Sequence, residues 1–352
     1  MKKRIFMTCV SLFVASTFLT GCIGPHTVFE KIRRAFHKDY DEYVEFEDEY
    51  EYGYEDEHDE EIVYGEPDDE IEVITPPSVE KSGIPKAEVT KTPEAPEVVM
   101  NDVYVSDAKS FVKAIKSNTI IHLEPGIYII TDALDDPTLS FEVVDNLTEP
   151  YVDSLEEFDG LELEIVNIKN LTIICDDVKE SAHLQAEPRY ADVLHFAKCD
   201  NITISNVIAG HTPDRGSCAG DVIGLEKCRN INLIGLDLYG CGTYGISAQD
   251  SNNIYCKNTK VRDCSYGLLD FRVSKNAIFD DCTFVFDEGY TQIECYSSQM
   301  TFNGCVFLNE DSDTEFIYTT SDSILTFKDC RFDDDIKAQV KAAQGKNVLV
   351  LN

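Results

Sequence analysis

Positive charge is scarce in this chain. The 30 Lys and Arg residues stand against 66 Asp and Glu, for a formal net charge of −36. A chain this acidic lacks the basic footprint that phosphates demand, so no nucleic-acid partner is expected. The same shortage speaks against a bare polyuronate ligand, unless Ca²⁺ bridges the like charges; no other cofactor is expected. There are 13 cysteines but no CxxC pair, and no histidine shares their spacing, so no metal ligands are nominated. From Asp39 to Glu72 there is no Lys or Arg at all.

What is present falls into three parts: residues 1–21, 22–100 and 101–352. Lys2, Lys3 and Arg4 precede an apolar stretch, Ile5 to Leu19, that is too short to span a bilayer comfortably. Leu19-Thr20-Gly21-Cys22 comes next and resembles the lipobox of bacterial lipoproteins. That resemblance implies cleavage before Cys22, lipidation of its thiol, and a place in the bacterial cell envelope, anchored to a membrane on its periplasmic or outer side. Val28, Phe29, Ile32 and Phe36 share one helical face among Lys31, Arg33, Arg34 and Lys38. A helix on anionic headgroups and a basic spacer both fit this stretch. The acidic run from Asp39 cannot bury a core and should extend by self-repulsion, a tether unless it loosely binds cations or docks a basic partner. Pro76, Pro77, Pro85, Pro93 and Pro96 stiffen the segment between this run and residue 101.

The rest repeats. Asn230, Asn253 and Asn276 are 23 residues apart, each inside a short apolar strand start such as Ser251-Asn252-Asn253-Ile254-Tyr255-Cys256. A fixed period in this range signals a stacked solenoid. Strands of three to five residues cannot form stable sheets alone; stacked about 4.8 Å apart they bury one continuous core. Asn201, Asn230, Asn253 and Asn276 should line one bend as a buried amide ladder. Cys241 and Cys264 are 23 apart, as are Cys282 and Cys305; Cys330 continues the second column, and Cys199 stacks with Cys228. Reduced, inward-facing apolar thiols are expected, although coil spacing also permits disulfides in an oxidising envelope.

Asp107 to Ser117 reads as an amphipathic helix, with a strand after it at Thr119–Leu123, a turn at Glu124-Pro125-Gly126 and a strand at Ile127–Ile130. This run resembles the first coil of right-handed parallel β-helix proteins of the pectin-lyase-like superfamily, where a helix plugs the open end of the core. The coils from about Asn167 to Phe332 resemble the same superfamily. The implied architecture is an all-β, single-solenoid right-handed parallel β-helix with an N-terminal capping helix, preceded by the acidic and Pro-rich tether. Asp335 to Ala343 and Asn347 to Leu351 read as a helix and a last strand that close the far end, against end-to-end assembly.

Strand alternation puts Ile223, Leu225, Ile246, Ala248, Leu269, Phe271, Ile293 and Cys295 inside. One outward column then reads His195, Gly224, Ser247, Asp270, Glu294, and the next Ala197, Glu226, Gln249, Arg272, Tyr296. A long loop from Gly210 to Gly220, with His211, Asp214 and Arg215, leaves the coil just before this strand. On this face Asp270 with Glu294, or Glu226 with Asp270, would share acid and base roles. His211 would shuttle a proton, and Tyr296 would stack on a sugar. Arg272 would neutralise a uronate or, as in some lyases of the superfamily, help abstract its C5 proton. Glu226, Ser247, Gln249, Tyr296, Asp214 and Arg215 would line a binding surface. The plain alternative is a surface ion pair around Arg272. The superfamily's active-site motifs, WIDH and RxPxxR of pectate lyases and the NTD, DD, GHG and RIK set of polygalacturonases, are missing. Two functions fit: an envelope lipoprotein whose rod binds a glycan or an envelope partner, and a polysaccharide lyase or hydrolase working at the same face.

Overall fold

Short strands stack into three sheets that share one core. The computed structural model describes residues 99–141, 148–177, 179–212, 219–240, 243–286, 289–309 and 314–351. Among these the first sheet has ten strands, from Asn101–Val105 to Val348–Leu351, and the second and third have eight each. Strands pair in parallel from coil to coil: Ile202 with Ile231, Ile231 with Ile254, Ile254 with Ala277, Ala277 with Met300, and Met300 with Leu325. One pair departs from this. Tyr151–Glu156 and Leu161–Val166 form an antiparallel hairpin at the start of the third sheet.

The core is a set of side-chain columns. Phe279, Phe302 and Phe327 stack along the first sheet with ring centroids 4.8 and 5.0 Å apart. Phe284, Phe307 and Phe332 do the same along the second, at 4.9 and 5.2 Å. The columns meet edge to face, as Phe302 does with Phe307 at 5.4 Å. Each such ring pair adds about 0.5–1.5 kcal/mol beyond the area it buries.

The asparagine ladder exists, but it lies outside rather than in the core. Asn201, Asn230, Asn253 and Asn276 are exposed and take left-handed backbone angles, φ 57–59°. Asn tolerates this conformation, and the corner needs it to turn from one sheet into the next. Each amide then bonds across coils: Asn253 Nδ2 donates to Asn230 Oδ1 at 3.0 Å, and Asn276 Nδ2 to Asn253 Oδ1 at 2.9 Å.

Inside the same corner runs a column of Cys199, Cys228, Ser251, Ser274, Ser298 and Ser323, all buried. These residues satisfy backbone groups, so the cysteines do more than fill apolar space. Ser274 Oγ accepts from Ser251 N at 3.1 Å and donates to Ala248 O at 3.1 Å, and Cys228 Sγ donates to Phe196 O at 3.2 Å. Cys282, Cys305 and Cys330 form a second such column; Cys305 Sγ donates to Phe279 O at 3.3 Å. The nine described cysteines are free thiols, and the nearest pair shown, Cys256 and Cys282, has its sulfurs 3.8 Å apart. Cys241 lies outside the described residues.

Both ends are covered. A helix at Ala108–Ala114, shorter than the span expected, begins with a capping box between Asp107 and Ser110 and buries Phe111 against Tyr128. A short helix, Ile130–Leu134, replaces the end of the expected second strand. At the far end the helix Asp334–Ala343 buries Ile336 and Val340. Its Gln339 carboxamide accepts from Phe316 N at 2.8 Å and donates to Thr314 O at 3.0 Å, closing the last strand of the third sheet. No helix among the described residues is long and apolar enough to cross a membrane.

Candidate functional site

The third sheet carries the outward columns in the register expected from the sequence. Gly224 pairs with His195 and Ser247, Ser247 with Asp270, and Asp270 with Glu294. Beside them Glu226 pairs with Gln249, Gln249 with Arg272, and Arg272 with Tyr296. The inward partners Ile223, Leu225, Ile246, Ala248, Leu269, Phe271, Ile293 and Cys295 are all buried.

Three of the expected residues form a knot. Arg272 Nε donates to Asp270 Oδ2 at 2.9 Å, and its Nη2 reaches Glu294 Oε2 at 3.5 Å. The guanidinium carbon sits 4.4 Å from the centre of the Tyr296 ring. This is a planar fork held by two carboxylates and one aromatic face, the arrangement that suits Arg and would not suit Lys. Although they point outward, Asp270 and Glu294 are only 6 and 7% exposed. A single guanidinium binds both, so neither projects into solvent as a free acid or base.

Tyrosines extend this knot along the face. Tyr318 packs tilted against Tyr296 from the next coil, ring centroids 5.1 Å apart and planes at 41°, and is 44% exposed. At the other end of the same strands Tyr244, Tyr266 and Tyr290 climb from buried to exposed, with centroids 5.5 and 4.5 Å apart. Burial pushes the Tyr244 phenol up, helped by Asp270 and Glu294. It raises Tyr266 and Tyr296 as well, with Glu294 the next cause for both. These three phenols are therefore neutral donors at ordinary pH, and none is set up as a phenolate base.

Other expected residues are not brought together. Glu226 lies in the neighbouring column two coils away from Asp270, about 10 Å along the rod, and the Arg272 fork that holds Asp270 does not reach it. It pairs instead with Lys227 at 2.9 Å on the surface. Ser247 is half-buried, Gln249 is exposed, and Ala197 is buried. His211 corrects the expectation of a proton shuttle. It ends a strand of the second sheet, is buried, and donates from Nε2 to Ala191 O at 2.8 Å. Burial lowers its pKa, so it is a neutral structural imidazole. Asp214 and Arg215 lie outside the described residues, as do Cys22 and the tether.

The sequence does not foreshadow a buried polar cluster at the N-terminal end of this face. His195 Nδ1 is 2.7 Å from Glu162 Oε1, and Asp192 N donates to Glu162 Oε2 at 2.5 Å. Asp221 N donates to Asp192 Oδ1 at 2.7 Å, and Tyr244 N to Asp221 Oδ1 at 3.0 Å. Glu162 comes from Leu161–Val166, which pairs in parallel with the next coil at a spacing of 31 residues (Glu164 with His195) rather than 23, so the period could not point to it. The tyrosines did leave a signal: Tyr266 and Tyr290 are 24 residues apart, and Tyr296 and Tyr318 are 22 apart.

Comparison with known proteins bears on the fold. Residues 192–352 match the family model described as a right handed beta helix region. No curated protein matches the chain. Among solved structures, the crystal structure of alginate lyase from Paenibacillus sp. str. FPU-7 overlaps 72% of this chain and 98% of its own, at 10% sequence identity and a TM-score of 0.33. That likeness is too loose to bear on activity. The parallel register of the coils and the matched family model agree on one architecture, a right-handed parallel β-helix.

Proposed function

We propose that the third-sheet face is a non-catalytic carbohydrate-binding surface of a lipid-anchored envelope protein. The observation that carries this reading is the Arg272 fork, fixed between Asp270 and Glu294 against the Tyr296 ring, with exposed Tyr318 and Tyr290 at either end of the strands. Aromatic faces with a few pre-placed polar groups suit a hydroxyl-rich ligand, because rings stack on the sugar while the fork orients its hydroxyls. The overall negative charge favours a neutral glycan over an anionic one. Two features weigh against bond cleavage: both carboxylates are bound to one guanidinium, and the nearby phenols are held protonated. Lipidation at Cys22 and the acidic, Pro-rich stretch after it would hold the rod away from the membrane.

The test is affinity electrophoresis and calorimetry of the full chain against a panel of soluble neutral and anionic glycans, with product analysis of each mixture. Binding of a neutral glycan without turnover is expected, and Tyr290→Ala and Tyr318→Ala should each weaken it about three- to tenfold. Failure to bind any glycan would refute the reading. Turnover would replace it with the lyase or hydrolase alternative. Fatty-acid labelling that persists in Cys22→Ala would remove the anchor.

A further inference from the structure

The corner between the third and first sheets holds a second left-handed residue in every coil. It is Lys198, Lys227, Asp250 and Val273, each three residues before a ladder asparagine, and Ser297 in the coil after them; φ lies between 49 and 57°. One hydrogen bond repeats from coil to coil. Lys227 N donates to Gln249 O at 2.8 Å, Asp250 N to Arg272 O at 2.9 Å, and Val273 N to Tyr296 O at 2.9 Å. The positions are therefore equivalent, and unbranched or polar side chains hold all of them but one. A β-branched residue in the left-handed region is a genuine outlier, because its second Cγ crowds the backbone.

Nothing in the fold offsets the strain at Val273. Its side chain is 54% exposed, so it gains little from burial, and the corner turns equally well through Lys, Asp or Ser in the other coils. Its surroundings are those of the aromatic face. Val273 directly follows Arg272, which pairs in register with Tyr296, and Tyr318 stands one coil further on, about 10 Å along the rod from Val273. The side chain at this corner leaves toward that face. At the equivalent position Lys227 Nζ reaches back to Glu226 Oε1 at 2.9 Å, and Glu226 belongs to the same outward column as Gln249 and Arg272.

We propose that Val273 is a ligand-contacting residue of this face, an apolar edge against which a neutral glycan lays the C–H face of a sugar ring. The inference rests on the carbohydrate reading of the face and adds a contact and a preference to it. An exposed valine offers no hydrogen bond, so the contact favours sugars whose equatorial hydroxyls leave an apolar ring face over sugars that are charged there. One chain crossing the Arg272 fork can reach both Tyr318 and Val273. Strain kept at an exposed position, where polar residues would relieve it, is the pattern of a site that trades stability for binding.

Calorimetry of the full chain and its variants with hydroxyethyl cellulose, soluble starch and galactomannan tests this, beside thermal unfolding of each protein. Val273→Asn relieves the strain, and its unfolding midpoint should rise by about 2–4 °C. Val273→Gly deletes the contact in a backbone that glycine adopts freely. It should bind about three- to tenfold more weakly while its midpoint stays within about 2 °C of the natural chain. Val273→Ile keeps both strain and contact and should bind as the natural chain does. A residue that served only the fold would not weaken binding while stability is kept. Undiminished binding by Val273→Gly, or no rise in the midpoint of Val273→Asn, overturns the proposal and leaves the carbohydrate surface standing. If the natural chain binds none of these glycans, the surface itself is refuted and the role of Val273 with it.

Discussion

Replacing Asn253 by Ala tests the physics of the coil corner. Asn253 sits at φ 59°, donates its amide to Asn230 and accepts from Asn276. Ala in the left-handed region costs about 1–2 kcal/mol. Loss of two exposed amide bonds adds about 0.5–1 kcal/mol each, the low end of the usual range because water competes. The sum is about 2–4 kcal/mol. Gly adopts the same backbone angle without strain, but adds about 0.5–1 kcal/mol of chain entropy to the lost bonds. Asn253→Gly should therefore be more stable than Asn253→Ala by about 0.5–1 kcal/mol. Asn253→Asp tolerates the backbone and still accepts from Asn276, so it should lose about 1 kcal/mol. Urea unfolding monitored by far-ultraviolet circular dichroism, with unchanged slopes, supplies these differences. If the Ala variant stays within about 0.5 kcal/mol of the natural chain, or exceeds the Gly variant, the corner is not held in the way described.

Two further perturbations probe the core column and a surface histidine. Ser274→Ala removes a buried hydroxyl that accepts from Ser251 N and donates to Ala248 O, and should cost about 1–3 kcal/mol in urea unfolding. Ser274→Cys should lose clearly less, because cysteine fills the same corner at Cys228, and equal losses would mean that a thiol does not take over the hydroxyl's bonds there. His122 sits between Asp102, 3.0 Å from Nε2, and Asp176, 2.6 Å from Nδ1, with Tyr104 stacked on its ring. The Asp102 bond foremost raises its pKa above 6.5, against the lowering effect of burial, and Asp176 adds to the rise. The folded-state value is thus the higher one, so this contribution to stability is complete below pH about 6.5 and is lost as pH rises through the folded value. An NMR titration placing His122 at or below 6.5 would contradict that.

The repeat was legible because each corner needs a left-handed residue every coil, and asparagine supplies it at Asn230, Asn253 and Asn276. The same spacing carried the register of the third sheet, and through it the neighbours Asp270, Arg272, Glu294 and Tyr296. It could not show burial. Alternation says only which side of a strand a residue leaves from, and what then covers Asp270 or His195 comes from other coils. Polarity misleads for the corners, because an amide ladder can be as well satisfied in solvent as in a core, and strand spacing does not distinguish the two. His211 misleads for a related reason. In sequence it opens a long loop beside Gly210, yet its backbone still belongs to a second-sheet strand, where burial and the Ala191 carbonyl hold it neutral.

The cluster at Glu162, Asp192 and His195 marks the limit of periodic reading, since its members meet only because the antiparallel hairpin lays Glu162 beside the first regular coils. A period identifies residues that are equivalent. Chemistry that brings together unlike residues concentrates where the equivalence fails, at the first coils of the solenoid. The Arg272 knot lies within the regular coils and owes its geometry to stacking alone. The two features therefore report on different things, and loss of the buried cluster need not disturb the aromatic face. Glycan binding that survives His195→Gln, in a chain that still unfolds cooperatively, would show that independence. Loss of glycan binding in that variant would mean that the hairpin end and the tyrosine face act as one site.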